Sequence, residues 1–301
     1  ESRGAREADH GLGVADRVQS PSYALEQRYE KFTHIDLYRL TATQAQEFLS
    51  HSEDATGIRL IEWAERIDHR TIGPHIRVHI EDRNGERFIR CDFLDEPVPD
   101  DAEIDRWIAE VRLPAHIRRH VQKVTDVADA LALFLETSAW TLVRREALHA
   151  ASRTHDLLRF VDFKTWNGDA HCTPTDSEKQ TWASLKERYG TPHEDAAAKF
   201  LDAHGYASIG EIVRTHRGME NDGTVSGKTI EQRLLAYADK RVTLDCIVTL
   251  DERFDDLIER HHRGIEPEYH RRWRTAMKRM EKELFPRGVP AFDHLGFLEL
   301  Q

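Results

Sequence analysis

A chain of 301 residues, 39% hydrophobic and 32% charged, can bury a sizeable core under a well-solvated surface. Its formal net charge of -11 argues against a broad electrostatic grip on nucleic acid, so no strong direct nucleic-acid binding is expected. The three cysteines form no CxxC pair, no apolar run nears the roughly 18 residues that span a bilayer, and no signal peptide opens the chain, which points to a reducing, cytoplasmic setting without membrane attachment.

Residues 1–97 read as α/β. Arg6–Leu12 suits the end of a helix, with Gly11 and Gly13 as stop signals. Short apolar segments follow at Thr33–Leu40, Ile58–Trp63, Ile76–Ile80 and Phe88–Phe93, and the last two flank Asn84-Gly85 as a hairpin would. The acidic, proline-bearing DFLDEPVPDD leads into an expected linker over 98–112. From 113 to 301 the pattern is helical. Ile117, His120, Val121, Val124, Val127, Ala128 and Leu131 share one helix face. Further helices are expected over Leu142–Phe163, Ser177–Tyr189, His193–His204, Ser208–Thr215, Thr229–Leu250 and Pro267–Leu284, with loops at Gly168–Thr175 and Arg217–Lys228. The basic stretch Tyr269–Lys282 reads as a solvated helix face with Trp273, Met277 and Met280 turned inward.

Phosphate chemistry with divalent metals needs imidazoles and carboxylates that converge from several helices. His120, the pair His155-Asp156, and Asp239 each fall within apolar helical sequence. A polar group on a core face is costly unless it is paired or bound to metal. Taken singly, each also fits a side chain satisfied by ordinary hydrogen bonds, and one His-Asp dipeptide among 18 histidines is near chance.

In combination, HIRRHVQKVTDVADALA, ALHAASRTHDLL and TIEQRLLAYADKRVTLDCIVTLDERF resemble the motifs of the HD superfamily, all-helical metal-dependent phosphohydrolases. The resemblance implies His120, His155, Asp156 and Asp239 as ligands of one ion. It adds His193 and His216 as candidates for a second; their alternative is a helix-start residue and a helix-end cation. The implied cofactor is one or two divalent ions (Mn, Mg, Co or Fe), with Asp156 also orienting the attacking water as the catalytic residue. The implied reaction is hydrolysis of a small phosphorylated substrate, a nucleotide or related phosphate ester. Lys240, Arg241 and Arg119 are further candidates for phosphate contact, or plain surface charges.

Three motifs in the first third, LGVADRVQSPSYALEQRY, HIDLYRL and LIEWAER, resemble the TsaE ATPase of the tRNA threonylcarbamoyladenosine machinery. That resemblance implies a P-loop fold in which Asp36 and Glu62 belong to a Mg-ATP site and Ser22 lies near the nucleotide. Proteins of tRNA threonylcarbamoylation become candidate partners. The family's Walker A loop, GxxxxGK[ST], does not occur here, and by the usual spacing its lysine falls near or before residue 1. The chain starts at Glu1, so the N-terminus reads as incomplete or the domain as degenerate, short of a central strand and weak in ATP binding. The fold expected is therefore an incomplete P-loop-like α/β segment followed by an all-α HD domain. Phosphohydrolysis is the leading function. The rivals are an ATPase or accessory subunit for tRNA modification and a non-catalytic nucleotide sensor.

Overall fold

The chain divides after Asp95 into two units, and the computed structural model describes residues 21, 24–51, 57–68, 72–139, 141–164, 173–219 and 227–290. The helix expected at Arg6–Leu12 lies outside the described residues.

In the first unit, β2 (Phe32–Asp36) is buried along its whole length between antiparallel β1 (Glu26–Arg28) and parallel β3 (Ile58–Glu62). A parallel pair needs a crossover, and α1 (Ala42–His51) lies in it. Sequence periodicity did not disclose α1, because only Ala45 and Leu49 of its residues are buried. Its start is set by Thr41, whose Oγ1 accepts from Gln44 N–H while Gln44 Oε1 accepts in return from Thr41 N–H. Ile35, Leu37, Ala45, Leu49 and Ile67 make the core of this unit. The expected hairpin is present: β4 (His75–Arg83) and β5 (Glu86–Leu94) pair antiparallel around Asn84-Gly85, both at positive φ as a two-residue turn of this hand requires.

The second unit is helical around one large core. Residues 98–112 are part of it rather than a linker. They hold α2 (Asp101–Glu110), which buries Ile104, Trp107 and Ile108. The acidic residues that looked like connector chemistry are its start, with Asp100 accepting a 2.8 Å bond from Glu103 N–H. Next come α3 (Ala115–Ala139), α4 (Arg145–Thr154), a short 3-10 turn (Arg159–Asp162), α5 (Asp176–Tyr189), α6 (His193–Ala203) and α7 (Ala207–Arg214). α8 (Ile230–Lys240), the hairpin β6 (Val242–Thr243) and β7 (Cys246–Ile247), α9 (Leu250–His262) and α10 (Glu268–Leu284) complete it.

The single helix expected over Thr229–Leu250 is thus α8 plus a tight hairpin. Leu244, at φ 57, makes the turn without the glycine that would have announced it. Likewise the helix expected over Leu142–Phe163 ends at Thr154, where the chain turns into the 3-10 segment. Capping boxes at Thr175, Thr229 and Thr249 start α5, α8 and α9. Met277 and Met280 of α10 are buried and Trp273 packs against the core, as its pattern implied. α3 packs on α4 and α8, α4 on α7 and α8, and α6 on α7, so the ends of α4, α6, α7 and α8 meet.

An ionic latch ties α2 to this bundle. His149 of α4 pairs with Asp129 of α3 at 2.8 Å and with Asp101 of α2 at 3.2 Å. The hydrogen bond to Asp129 leads the causes that raise the His149 pKa above its ordinary value. A raised pKa stabilises the fold fully below the unfolded value, about 6.5, and that stabilisation is lost as pH rises through the folded value. The network is half-exposed, so its worth is under about 1 kcal/mol. His149→Gln is expected to lower the melting temperature at pH 5.5 and to leave it nearly unchanged at pH 8.5. An equal loss at both pH values would refute the latch.

Candidate metal centre

The six residues singled out in the second unit converge. His120 sits on the second turn of α3, His155 and Asp156 follow the last turn of α4, His193 opens α6, His216 follows α7, and Asp239 lies one residue before the end of α8. All but His120 are buried. Three groups of potential ligand atoms, each within 4.8 Å of one another, run through the cluster: His120–His155–Asp156, Asp156–His193–His216, and Asp162–His193–Glu194.

The four imidazoles share one arrangement. His155 Nδ1 donates to the Ser152 carbonyl at 2.8 Å, His216 Nδ1 to that of Val213 at 2.7 Å, and His120 Nδ1 to that of Leu244 at 3.1 Å. Leu244 is the left-handed residue of the β6–β7 turn, and that conformation brings its carbonyl within reach of α3. His193 Nδ1 is held instead by the Asp162 carboxylate at 2.6 Å. A proton fixed on Nδ1 leaves Nε2 as the inward-facing nitrogen in every case.

Those Nε2 atoms meet the two buried aspartates. His120 Nε2 lies 3.0 Å from Asp239 Oδ1, and His193 Nε2 lies 3.0 Å from Asp156 Oδ1. His155 Nε2 is 3.8 Å from both Asp156 Oδ2 and Asp239 Oδ1; it is buried and has no hydrogen-bond partner among the described residues. His216 Nε2 is 3.2 Å from His193 Nε2 and 3.9 Å from Asp156 Oδ1.

Electrostatics follow from this crowding. Burial acts upward on Asp156, but the charge on His155 and the bond and charge of His193 outweigh it and hold the carboxyl well below its usual range. Asp239 behaves alike: burial raises it, and Lys240, His120 and His155 bring it well below. Burial dominates at His155, which is lowered, and at His216, which burial and the neighbouring histidines bring to about 3. Burial thus pushes these two imidazoles toward the neutral form with a free lone pair, beside two aspartates held toward the carboxylate form. His193 goes the other way. Burial lowers it, and its bonds to Asp156 and Asp162 raise it further than that.

Sequence pattern did not single out Arg159, Asp162 or Glu194. Arg159 Nη1 lies 2.8 Å and 3.2 Å from the two ring nitrogens of His193, and Glu194 Oε2 is 3.1 Å from His193 Nδ1. The available signal was their spacing, since Arg159 and Asp162 follow Asp156 by three and six residues within the same turn. Of the candidate phosphate contacts, Lys240 pairs with Asp239 and lies over the Trp273 ring. Arg241 is committed to the Val248 carbonyl, the Tyr237 hydroxyl and Glu281. Arg119 is exposed and meets Asp245 at 3.4 Å.

In the first unit, Asp36 and Glu62 are cross-strand partners at the C-terminal ends of the parallel strands β2 and β3. His34, buried on β2, reaches Glu62 Oε1 at 2.9 Å, and Asp36 Oδ1 accepts from Tyr38 N–H. Carboxylates side by side at parallel strand ends are where α/β folds place ligand chemistry. Ser22 lies outside the described residues.

Residues 4–89 match the family model described as threonylcarbamoyl adenosine biosynthesis protein TsaE. The first unit is accordingly TsaE-like, and the helical unit lies beyond the matched residues. No curated protein and no solved structure matches the chain. No helix among the described residues is long and apolar enough to cross a membrane.

Proposed function

We propose that the helical unit is a divalent-metal-dependent phosphohydrolase of the HD type acting on a nucleotide or related phosphate ester. The observation that carries this reading is the common pose of His120, His155, His193 and His216, each tethered through Nδ1 and turned with Nε2 toward Asp156 and Asp239. Ordinary hydrogen bonding does not account for it, because the buried Nε2 of His155 has no hydrogen-bond partner among the described residues. The donor set fits an ion: imidazoles turned inward through Nε2 beside ionised carboxylates suit Mn²⁺, Co²⁺, Fe²⁺ or Mg²⁺. His120, His155, Asp156 and Asp239 would hold one ion, and His193 and His216 with Asp156 a second.

Bound ions would supply positive charge against the phosphoryl group and make water at the site more acidic. The protein's own residues do the rest. Asp156, kept ionised, accepts a hydrogen from the attacking water and orients it. The water oxygen bonds to phosphorus as the ester P–O bond breaks and its electron pair leaves on the alcohol oxygen. A proton from the water ends on that oxygen, giving the alcohol and inorganic phosphate. Arg159, half-exposed beside His193, supplies guanidinium donors to the phosphoryl oxygens.

The test is metal content of the purified chain, followed by phosphate release from a nucleotide panel with Mn²⁺, Mg²⁺ or Co²⁺. One or two ions with turnover are expected. A chain that takes up no metal and releases no phosphate sinks the hydrolase.

A second reading concerns the first unit. The match over residues 4–89 and the pairing of Asp36 with Glu62 support a Mg-ATP-handling part in tRNA threonylcarbamoyladenosine biosynthesis, alongside the proteins of that machinery. The 301 residues include no GxxxxGK[ST] loop, so ATP binding by this chain is expected to be weak.

A further inference from the structure

The β4–β5 hairpin of the first unit has one charged face and one apolar face. Cross-strand pairing sets Ile76 opposite Phe93, Val78 opposite Cys91 and Ile80 opposite Ile89, so these six residues share a side. The other side carries His79 against Asp92 at 2.9 Å, Arg90 against Asp92 at 3.1 Å and Arg83 against Glu81 at 2.6 Å. Ion pairs on one side and aliphatics on the other are the pattern of an antiparallel sheet that packs on something. Yet the apolar side lies open: Ile76 is 47% exposed, Val78 53%, Ile80 58% and Ile89 62%. Neither strand has a buried residue, and the core of this unit, around Ile35 and Leu37, includes none of them.

A two-stranded hairpin is at best marginally stable in water by itself, so a cover over the apolar side is worth seeking. Size and rim both point to its identity. A strip of half-exposed aliphatics of this kind offers roughly 400 Å². Across two copies, with the strand edges added, it comes to on the order of 1,000 Å², the lower limit for a specific pair. The rim is self-complementary. Asp82 and Arg87 stand opposite one another on the same side of the hairpin, at its turn end. A two-fold axis parallel to the strands lays β4 of one copy over β5 of the other. That rotation brings Asp82 of each copy toward Arg87 of the other, and Val78 over Cys91.

We propose that this face is a dimer interface, in which two copies of the chain pack their β4–β5 hairpins face to face as a small sandwich about 10 Å thick. The inference is independent of the hydrolase and of nucleotide handling by the first unit. Aliphatic side chains from the two copies interdigitate at its centre, and the two Asp82–Arg87 contacts close its turn end and set the register. The ion-paired side of each hairpin stays in water. An interface of this area, with no deep anchor, makes a dimer that dissociates in the micromolar range.

The test is sedimentation equilibrium of the full chain over about 1–200 µM, where an interface of this area should dissociate. The wild-type chain is expected to pass from monomer to dimer across that range. Ile80→Lys combined with Ile89→Glu keeps an attractive cross-strand pair within the hairpin while placing charges in the interface. This charged variant should weaken dimerisation on the order of 100-fold. Ile80→Val combined with Ile89→Val keeps the face apolar and should dimerise nearly as the wild-type chain does. Orientation is read with a short thiol-to-thiol cross-linker in a chain carrying Cys172→Ser and Cys246→Ser, which leaves Cys91 at the middle of the face. A dimer linked through Cys91 is expected, and the charged substitutions should abolish it. A wild-type chain that stays monomeric at the top of the range overturns the proposal. So does a dimer that the charged variant leaves intact, or one that Cys91 does not link.

Discussion

Asp156→Ala is expected to abolish metal uptake and phosphohydrolysis in one step. The residue stands in two of the three ligand groups, with Oδ1 toward His193 and His216 and Oδ2 toward His155. Removing it takes a charge from both halves of the centre and leaves His193 Nε2 without its carboxylate partner. Metal charge stabilisation at phosphorus is worth several kcal/mol, so turnover should fall on the order of 10³-fold or more. Asp162→Asn provides the scale. Asp162 holds His193 through Nδ1 and the backbone N–H and pairs with Arg159, and its loss should cost about 10–100-fold in metal affinity, the usual worth of a residue behind a ligand. Metal content by elemental analysis and phosphate release decide the matter; an Asp156→Ala protein that keeps both its metal and its activity ends the ligand assignment.

Gly210→Val should unseat the second half of the centre without touching a ligand. A Cβ built on Gly210 of α7 lies 2.9 Å from the Ala198 carbonyl oxygen and 3.4 Å from its Cα, so α6 and α7 meet backbone to backbone there. Alanine would gain about 1 kcal/mol of helix propensity, while overpacking costs about 1–3 kcal/mol, so the net for alanine is small and unfavourable. Valine gains less and crowds more. A cost of about 2–3 kcal/mol corresponds to a melting temperature lower by roughly 5–10 °C for a unit of this size. Because α6 opens with His193 and α7 leads into His216, parting the helices draws those imidazoles away from Asp156. On the proposed two-ion reading, the variant should lose the ion held by His193 and His216 and keep the other. Wild-type melting with two ions would show that α6 and α7 tolerate the added methyls.

The convergence of the six residues was legible because the signal was redundant: each stands on or at the end of a helix with an apolar face, and the order of the motifs carries a family resemblance. What stayed hidden has physical reasons. Arg159 and Asp162 act from a 3-10 turn that has no amphipathic period. α2 was mistaken for a connector because its N-cap chemistry, acidic and preceded by prolines, is that of a loop. The β6–β7 hairpin was read through as helix because Leu244 turns the chain where sequence rules look for glycine or asparagine. In the first unit the β2 and β3 strands and the hairpin were apparent, while α1, thinly buried, was not.

The tethers of the histidines determine where this sequence is free to drift. Three of the four tautomers are set by main-chain carbonyls at Ser152, Val213 and Leu244, atoms that every amino acid supplies. Exchange of those side chains leaves the tether in place wherever the backbone path is kept. His193 alone depends on a side chain, Asp162. Substitutions accumulating around the centre can therefore erode the His193–His216 half through a single codon, whereas the His120–His155–Asp239 half is exposed to loss only through its own ligands or through the path of the chain.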